Sequence, residues 1–199
     1  MKLKQFFKKL FKRKMTLVFL IIVVIMMIAG ILAPVIAPHD PLEQNLVMKF
    51  SMPSLEYPMG TDNLGRCIFS RILYATRTTL GFSLLCTVLA SVIGITLGVT
   101  AGYKGGVVDM LIMRLCDVLY AFPALVLVMA IVGFIGVGIF NVIIAMLILQ
   151  WLWYARVSRN LAAGESVKSY IAAARLCGAS DRKIIFRHIL PNIIPNMLA

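Results

Sequence analysis

From Val118 to Ala155 no side chain carries a charge. Drawn as one helix at about 1.5 Å per residue, that stretch would be roughly 57 Å long. The hydrocarbon core of a bilayer is only about 30 Å thick, so the run must fold back on itself. Gly133, Gly136, Gly138 and Asn141 mark the turn. Two helices are therefore expected, near Met110–Gly133 and Ile139–Val157. Two more uncharged runs, Met15–Ala37 and Leu80–Ala101, are each long enough to cross once. The chain is 61% hydrophobic and 14% charged, whereas a soluble domain carries roughly 25% charged residues. The expected fold class is all-α, a polytopic transmembrane helical bundle with four spans and membrane lipid as its solvent.

The charges orient it. The net charge is +12. The basic residues flank the apolar runs instead of forming one face, which argues against nucleic acid as a partner. The tail before Met15 holds Lys2, Lys4, Lys8, Lys9, Lys12, Arg13 and Lys14. The segment after the fourth run holds Arg159, Lys168, Arg175, Arg182, Lys183 and Arg187, with Arg156 at its edge. Four crossings bring both to one side, the cytoplasm by the positive-inside rule. Between Pro38 and Thr79, Lys49, Arg66, Arg71 and Arg77 are balanced by Asp40, Glu43, Glu56 and Asp62, as suits an external loop. The Met15–Ala37 run is too long for a secretory signal, whose apolar part is about 7–15 residues, and reads as a retained anchor. The organisation expected is a basic cytoplasmic tail (1–14), a first span (15–37), an extracytoplasmic loop with an interfacial helix (38–79) and a partial transmembrane domain (80–199).

Inside the spans, Gly94, Gly98 and Gly102 recur every four residues and so line one helix face, where small residues admit a close neighbour. Pro123 should kink the third span. Arg114 and Asp117, three apart, read as an interfacial ion pair or as a functional charge facing the bundle. Cys67, Cys86, Cys116 and Cys177 form no CxxC pair. There is no GxxxxGK[ST] loop, HExxH or GxSxG, and His39 and His188 fall on opposite sides of the membrane. No catalytic residue, metal site or cofactor is expected.

Two segments carry more specific patterns. In the outer loop, Gly60 and Gly65 suggest tight backbone, and Asp62 can cap a helix start. Leu64, Ile68, Ile72 and Ala75 then recur at helical spacing, an interfacial helix feeding the second span. In the inner segment, Glu165 to Cys177 reads as a short helix stopped by Gly178 at positive φ. Ser180 or Asp181 can cap a second helix, and Pro191 ends the unit. Such a helix–glycine–helix knob, spanning 165–191, suits insertion into a groove on a partner.

Both segments resemble the binding-protein-dependent permeases of the dipeptide, oligopeptide and nickel importer family. The outer one is similar to that family's G-T-D-x-x-G-R stretch: Gly60, Thr61, Asp62, Gly65 and Arg66, then Ser70-Arg71 and Arg77. The inner one resembles its E-A-A loop through Tyr170, Ala172, Ala173, Ala174, Gly178, Ala179, Ser180, Asp181, Leu190 and Pro191. Departures are Ala172 where Glu is usual, Cys67 for a frequent Asp, Ala75 for a frequent Gly and His188 for the general motif's Ile. The resemblance implies a type I importer permease of the ABC class in the bacterial cytoplasmic membrane. It implies a second permease subunit, two ATPase subunits that dock on the inner loop, and an extracytoplasmic solute-binding protein. It also implies two further spans after the loop, so the chain reads as C-terminally truncated. The solute, peptide or nickel, is not legible. A channel or receptor subunit without ATP coupling is the alternative, and it would need selectivity charges within the spans.

Overall fold

The structure, a computed structural model, describes residues 14–197. The basic tail expected over 1–14 lies outside them except for Lys14. The elements are α1 (Lys14–Ile31), α2 (Ala33–Ile36), α3 (Ile68–Lys104), α4 (Gly106–Tyr120), α5 (Ala124–Ile135), α6 (Ile139–Ser166), α7 (Ser169–Leu176), α8 (Asp181–Ile184) and α9 (Leu190–Met197). A π turn, Ile185–Ile189, joins the last two. Among the described residues β structure is limited to an isolated bridge, Thr61 with Cys67. The fold is all-α, as expected, and its described residues divide into two units, 14–84 and 85–197.

In the first unit, every large apolar side chain from Val18 to Ile28 is exposed. A helix apolar on all sides needs lipid around it. It ends at Ile31, not Ala37. Pro34 has no N–H, and its ring crowds the carbonyl four residues back, so α2 starts afresh. One α1 residue, Gly30, is buried: a Cβ there would lie 3.0 Å from the backbone N of Arg77, so the two helices touch at backbone distance. The helix expected to feed the second span runs into it without a break. It is the first part of α3, a continuous helix of 37 residues, or about 55 Å, well beyond a 30 Å hydrocarbon core.

In the second unit, α4 and α5 meet at 87°. Pro123 sits at the start of α5. Proline disfavours helical backbone in the residue before it, so α4 stops three residues earlier. The kink expected within one helix is thus a break between two. Among the described residues three helices are long and apolar enough to cross a membrane, or four candidate spans if α4 and α5 count as one. Gly136–Gly138 forms the next turn, closed by Asn141 Nδ2 donating to the Gly136 carbonyl at 2.8 Å. α6 runs on to Ser166, beyond the expected end at Val157, because no proline intervenes and Gly164 alone does not break it. Two buried clusters follow. Ala90, Cys116, Trp151, Leu152 and Ala155 pack between α3, α4 and α6. Val99, Tyr103, Ala162, Ile171, Ile184, Ile189 and Ile193 pack where the chain turns back on itself.

Candidate functional site

The outer motif ties a knot. The Asp62 backbone N–H donates to the Arg66 carbonyl (3.1 Å) and that of Gly65 to the Asp62 carbonyl (3.0 Å), closing a short loop. The Asp62 carboxylate fills it, accepting from the N–H groups of Leu64 (2.8 Å) and Arg66 (3.0 Å) and from Arg66 Nε (2.8 Å). Arg71, one turn into α3, also pairs with it. Asp62 therefore caps a loop and not a helix start. The helix begins only at Ile68, beyond the bridge that Thr61 and Cys67 make. Partial desolvation works to raise the Asp62 pKa, but the Arg66 and Leu64 amides and the Arg66 guanidinium outweigh it and hold it at about 2.

The rest of the motif serves the same knot. The buried Thr61 hydroxyl donates to the Met48 carbonyl and accepts from the Ser51 N–H at 2.8 Å. Ser70, fully buried, accepts from the His39 N–H at 3.2 Å. Both motif glycines need to be glycine. Gly60 and Gly65 each have φ +72°, and a Cβ would stand 2.4 Å from the Ser51 carbonyl oxygen in one case and 1.7 Å from that of Asn45 in the other. Cys67, where the resembling family often has Asp, is buried. Arg77 is exposed on α3 and meets α1 through its backbone at Gly30.

The glycine face of α3 packs on α6. A Cβ on Gly94 would lie 2.4 Å from the Trp151 carbonyl oxygen. On Gly98 it would lie 2.2 Å from that of Ala155, and on Gly102 2.3 Å from that of Arg159. The seam leaves no room for side chains, so the two backbones interlock along two turns. Charges secure α4 to the same partner. Arg159 forks onto Asp109, with Nε 2.9 Å from Oδ1. Arg156 reaches Asp117 at 2.6 Å and lies 4.4 Å from the Tyr120 ring centre. Asp117 thus pairs across to α6 and not with Arg114, which is exposed.

The inner segment is a compact block. α7 is Ser169–Leu176, shorter than the helix expected from Glu165, because Val167 and Lys168 break the chain out of α6. Gly178 has φ +76°, and Ser180 caps α8 by accepting from the Lys183 N–H at 3.5 Å. Pro191 does not end the unit. The helical path continues through the π turn, where the Leu190 N–H bonds to Ile185, five residues back. That wider ladder accommodates the missing proline donor, and α9 runs to Met197. Ile171, Ile184, Ile189 and Ile193 face the core, with Ala174, Ala179 and Leu190 packed against it. Ala172, Ala173, Leu176 and Gly178 face outward with Arg175, Arg182, Lys183 and Arg187. Leu176 is 89% exposed.

Polar contacts root the block. Glu165, buried at the end of α6, accepts from Lys168 and from the Tyr170 hydroxyl, and Asn192 Nδ2 donates to that hydroxyl at 3.0 Å. Burial, and then the bond donated to Glu165, push the Tyr170 pKa above its ordinary value. The Tyr103 hydroxyl donates to Asp181 at 2.7 Å. Glu165 and Asp181 are the only acids after Asp117. That isolation in a basic segment was the available sign that each is a designated acceptor. Nothing in local spacing pointed to Tyr103, Asp109 or Arg159, whose partners are distant in sequence.

Residues 94–199 match the family described as binding-protein-dependent transport system inner membrane component. The chain belongs to that family. Residues 2–53 of this permease-family chain also match the N-terminal transmembrane domain of oligopeptide transport permease C. It is 36% identical to the nickel transport system permease protein of Escherichia coli over 81% of its own length and 58% of that protein's. To the metal-staphylopine import system permease protein of Staphylococcus aureus it is 39% identical, over 81% and 56%. To a glutathione transport system permease protein of Escherichia coli it is 43% identical, over 73% and 48%. The chain thus spans about half the length of these relatives. It is a multi-pass membrane protein of the permease family. Among the described residues no three His, Cys, Asp or Glu side chains are grouped to hold a metal ion.

Proposed function

We propose that the chain is the permease subunit of an ATP-driven importer for peptides or nickel. It forms half of the translocation pathway beside a second permease subunit, and it is driven through its 165–191 block by two ATPase subunits. A solute-binding protein delivers solute to the opposite face. The N-terminus and the block lie in the cytoplasm, the side that the basic residues select. ATP hydrolysis belongs to the partners. The observation that carries this reading is the two-faced build of the block: isoleucines turned into the core, and Ala172, Ala173 and Leu176 left outside among basic side chains. An apolar strip of that kind is what a partner's groove requires of a short docking helix. The relatives' roles in nickel, metal-staphylopine and glutathione transport support the solute class.

The test replaces Leu176 by Glu in the full-length permease, assembled with its candidate ATPases. Because Leu176 is 89% exposed, the change removes a contact without disturbing the core. Membrane insertion at wild-type levels with lost ATPase co-purification is the expected result. Undiminished co-purification removes the docking role of the block.

A further inference from the structure

We propose that Tyr103 is the joint between the coupling block and α3, a positioning residue through which movement of the block is imposed on the long helix. The proposal rests on the reading of that block as the ATPase-docking element.

Tyr103 is the next-to-last residue of α3 and is 7% exposed. It belongs to the buried cluster that also holds Val99, Ala162, Ile171, Ile184, Ile189 and Ile193, a core shared by α3, α6, α7, α8, α9 and the π turn. Its hydroxyl leaves that cluster and finds two partners. It donates to Asp181 Oδ1 at 2.7 Å and accepts from Arg175 Nε at 3.3 Å. The Arg175 guanidinium also lies over the ring, 4.9 Å from its centre. Arg175 belongs to α7 and Asp181 opens α8. One side chain therefore holds both arms of the block, one on each side of the Gly178 turn.

A tyrosine suits that position for a reason specific to its chemistry. Its apolar body tolerates burial while its polar tip fixes direction. A phenylalanine would fill the same volume and leave Arg175 and Asp181 free to turn. Movement passed to Tyr103 cannot dissipate by sliding, because the next turns of α3 interlock with α6 at Gly102, Gly98 and Gly94. Packed backbones of this kind shift as units between discrete arrangements. Reversing a 1:99 equilibrium needs about a ten-thousandfold preference of the driver for one state. A block able to rotate on the end of α3 would lose part of that preference at the joint.

The experiment uses the full-length permease with its second permease subunit and ATPases in nanodiscs. Hydrolysis is measured without and with the solute-binding protein in the loaded form isolated from cells. Tyr103→Phe should retain the ATPases while its stimulation by loaded binding protein falls about tenfold, the factor of one hydrogen bond to a charged group. Asp181→Ala should do the same, and the double variant should be no worse than either single one. Asp181→Asn, which keeps an acceptor oxygen, should preserve most of the stimulation. Asp181 is exposed, so its variants keep the test valid if Tyr103→Phe folds poorly. Ser91→Ala, which removes only a local bond to the Val88 carbonyl, serves as the control. Full stimulation in Tyr103→Phe, or additive losses in the double variant, overturns the proposal. If the wild-type chain retains no ATPase, the docking reading itself falls, and that failure is distinct from this one.

Discussion

Asp62 shows how one side chain can organise a loop of a permease. Its carboxylate gathers two amides and two guanidinium groups, Arg66 and Arg71, and its pKa is held at about 2 against an ordinary 3.8. A lowered folded-state pKa means that ionised Asp62 favours the folded loop. That contribution is complete above about pH 4 and fades as pH falls through 3.8 toward 2. Hydrogen exchange, corrected for its intrinsic pH dependence, should show the Leu64 and Arg66 amides protected at pH 5 and losing protection stepwise between pH 4 and 2. Asp62→Asn should weaken protection at pH 5 and abolish the step. Equal protection at both ends would mean that the carboxylate does not hold the loop. The residue pattern exposed part of this in advance, since two glycines and an aspartate at that spacing announce tight backbone. It did not reveal that the aspartate caps a loop, because the same residue type at that spacing can cap a helix start, and the turn that brings Arg71 back to it is set by the fold. For the same reason spacing alone pairs Asp117 with Arg114, three residues away, whereas Arg156 of α6 takes that place.

At the scale of elements, lipid made the spans legible and proline governed where reading faltered. Uncharged runs marked α1, α3 and α6 because a bilayer tolerates little else. Their ends were less clear. Pro34 cuts α1 short and Pro123 separates α4 from α5, yet Pro191 interrupts nothing, since a π turn absorbs it. Proline's effect depends on the hydrogen-bond ladder around it, which a linear pattern does not display. The glycine seam permits a test within a single helix. A Cβ on Gly98 would stand 2.1 Å from Ser158 Oγ, whereas nothing lies within 4 Å of one on Gly81. Gly98→Leu overpacks an interface without slack and should cost about 3 kcal/mol or more. Gly81→Leu should be close to neutral. Thermal unfolding of the two purified variants, followed by size-exclusion chromatography in detergent, measures the contrast. Similar melting temperatures would show that α3 and α6 do not meet as tightly as their backbones indicate.

For the whole molecule the open quantity is sidedness, and the chain carries its own probe for it. Of the four cysteines, Cys67, Cys86 and Cys116 are buried and Cys177 is exposed, one residue before the Gly178 turn. A thiol reacts through its thiolate and needs access to reagent, so a membrane-impermeant maleimide should modify Cys177 and spare the other three. The positive-inside rule predicts a cytoplasmic position for this residue, which has Arg175, Arg182, Lys183 and Arg187 near it in sequence. Inside-out vesicles should therefore give one labelled site, lost in Cys177→Ser, while right-side-out spheroplasts give none until they are permeabilised. The outcome decides more than topology. A block facing the cytoplasm can be moved by a nucleotide-driven partner, and Tyr103 and the glycine seam then have a motion to pass on. Labelling of Cys177 from outside would place the block where no ATP is available, and the coupling reading would be lost along with the orientation.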